Sequence, residues 1–136
     1  MAVEIHVRYD GDLHCTATHG PSGDRLLTDA PADNQGRAEH FSPTDLMAAS
    51  LGTCVLTVMG IVARRQGWEM GGARAEVVKE MGAEPRRHIA RLAVTIELPA
   101  ALEATARTAL ERAAHGCPVQ ASLGPLTRVE LSFHYR

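Results

Sequence analysis

Three cysteines, Cys15, Cys54 and Cys117, are the side chains of this sequence best able to do chemistry. A thiolate is the reactive form, and it is favoured by local positive potential and by access. Cys117 stands directly before Pro118 at an expected helix start, where backbone N–H groups and the positive end of the helix dipole favour a thiolate. Cys54 lies inside an uncharged stretch, where by position alone a small buried hydrophobe is the first account and a reactive thiol the second. An odd number of cysteines at wide spacing is not a secretory disulfide framework. No Cys-x-x-Cys pair offers a zinc knuckle or a thioredoxin-type centre. The seven histidines include no i, i+4 pair of the kind that builds a helical metal site, and no Gly-rich phosphate loop or serine elbow occurs. No metal and no organic cofactor are therefore expected. His115, beside Cys117, reads as a helix-end histidine that could also influence the thiol.

The scaffold that must position these thiols is small. A chain of 136 residues falls in the one-domain range and can bury a core without disulfides or metals, so residues 1–136 are read as a single soluble domain. A formal net charge of −2, with both signs interspersed, gives no basic field for nucleic acid or anionic membrane. The first residues alternate apolar and polar and lack the regions of a signal peptide, so the default expectation is a cytoplasmic location.

Val3, Ile5, Val7 and Tyr9 share one strand face, and Leu13, Cys15 and Ala17 share another, with Asp10-Gly11-Asp12 between them as a hairpin turn. Matching the apolar faces through a three-residue loop pairs Tyr9 with Leu13 and Val7 with Cys15, and places Cys15 in the core. Arg25 to Thr28 reads as a third strand, and residues 29–41 as a polar loop, either mobile or functional. Ser42-Pro43-Thr44-Asp45 then opens a helix, with Ser42 at the N-cap and Asp45 bonding back in capping-box fashion. The helix runs to about Gln66 and stops at Gly67. It carries no charge from Leu46 to Ala63. A helix apolar on all sides is buried in protein or lipid, and the surrounding strands, which need covering, point to protein rather than a membrane. Strands follow over 72–80 and 86–98, then a helix over 101–114, a short turn from Cys117 to Leu123, and a last strand with Val129, Leu131, Phe133 and Tyr135 on one face. The order β-β-β-α-β-β-α-α-β, rich in hairpins, predicts an α+β fold of antiparallel strands around a long buried helix.

Phe-Ser-Pro-Thr-Asp-Leu-Met-Ala-Ala-Ser-Leu-Gly-Thr-Cys (41–54) resembles the helix carrying the first cysteine of the OsmC/Ohr family, the osmotically induced and organic hydroperoxide resistance proteins. His-Gly-Cys-Pro-Val-Gln-Ala-Ser-Leu (115–123) resembles that family's second cysteine motif. The separation and the order of elements match along essentially the whole chain. The resemblance implies an intertwined homodimer and a two-cysteine thiol peroxidase of the oxidative stress response. In that chemistry Cys54 attacks an organic hydroperoxide and becomes a sulfenic acid. Cys117 then condenses with it to a Cys54–Cys117 disulfide, which an external dithiol reduces. It further implies an arginine beside the first thiolate and a glutamate holding that arginine.

At the position of the family glutamate this chain has Thr44, with Asp45 next. Successive helical residues point about 100° apart, and ten residues of helix span about 15 Å, so neither reaches Cys54 along one helix. Asp45 is read first as a cap and second as a site residue. Arg37, in the polar loop, is the candidate arginine and Arg25 the alternative; Glu39 and His40 share the loop and could replace the glutamate. This departure supports a second reading: a redox sensor without turnover, or a small-ligand binder, on the same fold. Ala48, Gly52 and Gly60, spaced along the central helix, would let a further element approach closely, as in the implied dimer.

Overall fold

The computed structural model describes residues 1–136, which divide into two compact units, Met1–Leu46 and Met47–Arg136.

The first unit is an antiparallel sheet in the order β1-β2-β3, with β1 at Ile5–Gly11, β2 at His14–His19 and β3 at Arg25–Asp29. The register of the first hairpin differs from the sequence expectation. Tyr9 pairs with Cys15 and Val7 with Ala17, and the ladder shifts between Tyr9 and Gly11. The turn is the two residues Asp12 and Leu13, at φ 54° and 64°, braced by the Leu13 N–H donating to Tyr9 Oη at 3.2 Å. A bulge that adds Asp10 to one strand re-phases the pairing, so a two-residue turn still keeps the apolar residues opposite one another. The apolar face is shared, as the pattern required, but it is not covered: Ile5, Val7 and Tyr9 are 62%, 66% and 64% exposed. Cys15 is accordingly half-buried and outside the hydrophobic core, which corrects its placement there.

After β3 the polar loop is ordered by one carboxylate. Asp29, 2% exposed, accepts the backbone N–H of Glu39 at 3.1 Å and of Arg37 at 3.2 Å through Oδ2. These donors, Glu39 first, hold the Asp29 carboxyl below the usual carboxylate range against the cost of burial. Gly36 is obligatory here, because a Cβ at that position would lie 1.7 Å from the Ala30 carbonyl oxygen.

Helix α1 spans Pro43–Gln66. It starts on the expected capping box: the Asp45 N–H donates to Ser42 Oγ at 3.1 Å, and the Ser42 N–H donates to Asp45 Oδ2 at 2.9 Å. It ends where Gly67 takes φ 74° and the Trp68 N–H reaches the Ala63 carbonyl at 2.9 Å.

In the second unit the sheet order is β4-β5-β6, with β4 at Arg74–Gly82, β5 at His88–Leu98 and β6 at Arg128–Tyr135. The β4–β5 pair is antiparallel, whereas β5 and β6 are parallel. A parallel pair needs a long crossover. Helices α2 (Ala104–His115) and α3 (Pro118–Ser122) supply it. Leu92, Val94, Ile96 and Leu98 of β5 are buried, flanked on the same face by Val77 of β4 and by Leu131 and Phe133 of β6. Leu51, Val55 and Met59 of α1 and Ala106, Leu110 and Ala114 of α2 complete that core.

By length and composition α1 is long and apolar enough to cross a membrane. It is not buried on all sides, contrary to the sequence expectation. One stripe enters the core, while Met47 and Ile61 remain exposed. The small residues also do intrachain work: Gly52 is buried, and a Cβ there would come within 2.8 Å of Val77 Cγ2 on β4. Around Gly60, by contrast, nothing lies within 4 Å of such a Cβ.

Tyr135 on β6 ties the sheet to α2. Its hydroxyl donates to Glu111 Oε2 at 2.6 Å, and the Arg107 guanidinium lies 4.1 Å from its ring centroid. Burial first, and the Glu111 carboxylate second, push the Tyr135 phenol well above its usual range. The unfolded chain therefore loses this proton at about pH 10 while the folded one keeps it, so stability falls as pH rises beyond that point. Urea unfolding at pH 8 and pH 11 should show this loss, and Tyr135→Phe should lose less stability between the two than the parent protein.

Candidate functional site

Two of the sequence-predicted site residues come together in the second unit. Cys54 projects from the middle of α1, half-buried, at the edge of the core stripe set by Leu51 and Val55. Cys117 is the N-cap of α3, with Pro118 at the first helical position and the Ala121 N–H reaching the Cys117 carbonyl at 3.1 Å. All three cysteines are free thiols, and Cys117 is 1% exposed.

The Cys54 and Cys117 side chains lie close enough to influence one another electrostatically. Burial, and then the contact with Cys54, push the Cys117 thiol above its ordinary range. The N–H groups of Gln120 and Val119, at the start of α3, act against that rise without cancelling it. The helix-start effect expected from the sequence is present, then, but desolvation outweighs it. Cys117 therefore favours its protonated form. Access separates the two sulfurs in the same sense: a molecule arriving from solvent meets the half-buried Cys54, not Cys117.

His115 does not act on this pair through a ring contact of its own that the structure shows; its ring stands edge-on to Phe133, with centroids 6.0 Å apart. Gln120 is a feature the sequence did not single out: its side-chain Oε1 is buried with no hydrogen-bond partner in the protein.

The remaining candidates belong to the first unit. Arg37 forms ion pairs with Asp12 and with Glu39, whose Oε1 lies 3.5 Å from Arg37 Nη1. An arginine held by carboxylates is thus present, with Asp12 as the partner that sequence reasoning missed. A separation of 25 residues between Asp12 and Arg37 carries no local signal. Arg25 is exposed at the start of β3, opposite Thr18. Asp45 serves the helix cap, the role preferred for it from sequence.

The comparisons with known proteins bear on the family and the fold. Residues 35–132 match the family model described as OsmC-like protein. No curated protein matches the chain. A Psychrobacter arcticus structure named for osmotic stress induction and a detoxification response is 39% identical, covers 96% of this chain and 94% of its own, and superposes with a TM-score of 0.90. An organic hydroperoxide resistance protein OsmC of Legionella pneumophila shares the fold at 19% identity and a TM-score of 0.76, covering 98% of this chain and 97% of its own. The organic hydroperoxide resistance protein OhrB of Bacillus subtilis does so at 18% identity and a TM-score of 0.70, covering 98% of both chains. With the family model spanning most of the sequence and the α+β architecture reproduced throughout, this chain belongs to the OsmC family.

Proposed function

We propose that this protein is a two-cysteine thiol peroxidase that reduces organic hydroperoxides to alcohols. The observation that carries this reading is the pairing of an accessible thiol, Cys54, with a buried and protonated neighbour, Cys117. The Cys54 thiolate attacks the O–O bond; the peroxide is reduced to the alcohol and Cys54 is oxidised to a sulfenic acid. The Cys117 sulfur then displaces the sulfenic hydroxyl, water leaves, and a Cys54–Cys117 disulfide forms. An external dithiol returns both sulfurs to thiols by exchange. Neighbours of this fold named as organic hydroperoxide resistance proteins support the choice of substrate. The half-buried apolar setting of Cys54 on α1 suits a hydroperoxide with an apolar tail. Regeneration by a dithiol fits a reducing compartment such as the cytoplasm.

In this reading Arg37, held by Asp12 and Glu39, is the candidate for the arginine that the family resemblance implies. The working unit is a homodimer. Uncovered Ile5, Val7 and Tyr9 on the first sheet, and Met47 and Ile61 on α1, provide apolar surface for a second copy.

Steady-state turnover with cumene hydroperoxide and a dithiol tests the chemistry. Cys54→Ser should abolish consumption. Cys117→Ser should stop turnover yet still form a sulfenic acid that dimedone traps on Cys54. A sensor without turnover would instead oxidise about once per chain and stall. For the assembly, light scattering at micromolar concentration should give twice the 14.6 kDa chain mass. Charged substitutions at Val7 and Tyr9 should shift it to the monomer.

A further inference from the structure

Beyond the thiol pair, the first unit gathers three metal-ligating side chains from separate segments. His14 opens β2, Asp29 closes β3 and Glu39 lies in the loop that follows. Each offers one ligand atom, and the three atoms lie within 4.8 Å of one another. The His14 Nε2 is 3.6 Å from the Asp29 carboxylate and 3.4 Å from Glu39 Oε1.

Three independent features make this a built arrangement. The first is the orientation of the imidazole. His14 Nδ1 lies 2.7 Å from the Asp12 carbonyl oxygen, which can only accept, so Nδ1 carries a proton and Nε2 is the nitrogen that faces the two carboxylates. An imidazole held by a backbone carbonyl on one nitrogen, with the other free to ligate, is the usual outer support of a metal-binding histidine. The second is the carboxylate of Asp29. Its side chain is 1% exposed and is fixed by the backbone N–H groups of Arg37 and Glu39. That carboxylate is preorganised, and its burial makes a facing cation valuable. The third is spacing. Ligand atoms about 2.05 Å from a tetrahedral zinc stand about 3.3 Å apart, near the two separations seen here.

We propose that His14, Asp29 and Glu39 form a binding site for a first-row divalent cation of the Zn²⁺ type, with a fourth position open to water. One imidazole and two carboxylates suit Zn²⁺, Co²⁺ or Mn²⁺ and neutralise both negative charges with a single ion. The Arg37 guanidinium, 3.5 Å from Glu39 Oε1, competes for the same carboxylate. Metal loading draws Glu39 toward His14 and leaves Arg37 with Asp12. No local pattern marks such a site, since its ligands are 15 and 10 residues apart and share no helix.

Titration with Co²⁺ under reducing conditions tests the site, because the cobalt spectrum separates it from the thiols. The proposal expects one ion per chain with ligand-field bands and no thiolate-to-cobalt charge transfer. Binding should persist when Cys15, Cys54 and Cys117 are all changed to serine. His14→Ala and Glu39→Gln should each weaken Co²⁺ and Zn²⁺ by about tenfold or more, as losses even in a metal's outer support do, while Arg37→Ala should tighten binding. Asp29 is left intact because its carboxylate also holds the loop backbone. Absence of stoichiometric binding, a charge-transfer band lost with the cysteines, or affinity unchanged in both His14→Ala and Glu39→Gln would each overturn it.

Discussion

The close approach of α1 to the second sheet sets the terms for the thiol site. Gly52 has no Cβ to hold the helix away from Val77, and the stripe of Leu51, Val55 and Met59 sinks fully into the core beside it. Cys54 follows two residues later and so inherits a fixed height above the sheet. The crossover from β5 to β6 has to travel over the same face, because parallel strands cannot be joined by a tight turn. That route carries the start of α3, and with it Cys117, into the same core. Two sulfurs separated by 63 positions in sequence (117 less 54) thereby become neighbours.

Burial then differentiates the pair. Desolvation acts on Cys117 more strongly than the two backbone N–H groups that favour its thiolate. A resolving thiol gains from this, since it stays protonated and unreactive toward solvent until a sulfenic acid forms beside it. The attacking thiol needs access, and Cys54 has it. The chemical division of labour thus follows from depth, with the helix start of α3 playing a lesser part than position alone suggested.

Much of the scaffold was legible because its signals are local. The capping box at Ser42 and Asp45, the stop at Gly67 and the alternation of Leu92 to Leu98 are each written within a few residues. What was not legible depends on distant partners. The bulge at Asp10 changed the hairpin register, and Cys15 proved half-buried, beside Val7 and Tyr9 of β1, which stay exposed. The parallel β5–β6 pairing is a choice of topology that strand periodicity does not encode. Of the site residues, the two cysteines could be named from their motifs. The partnership of Arg37 with Asp12, and the convergence of His14, Asp29 and Glu39, appear only once three strands and a loop are folded together.

The central claim is that Cys54 and Cys117 act as one redox unit. Reduced protein treated with one equivalent of cumene hydroperoxide, then alkylated and mapped by mass spectrometry, tests it most directly. The account predicts a Cys54–Cys117 disulfide within one chain and an alkylated Cys15. A main product crosslinked through Cys15, or recovery of all three cysteines as alkylated thiols, would contradict it.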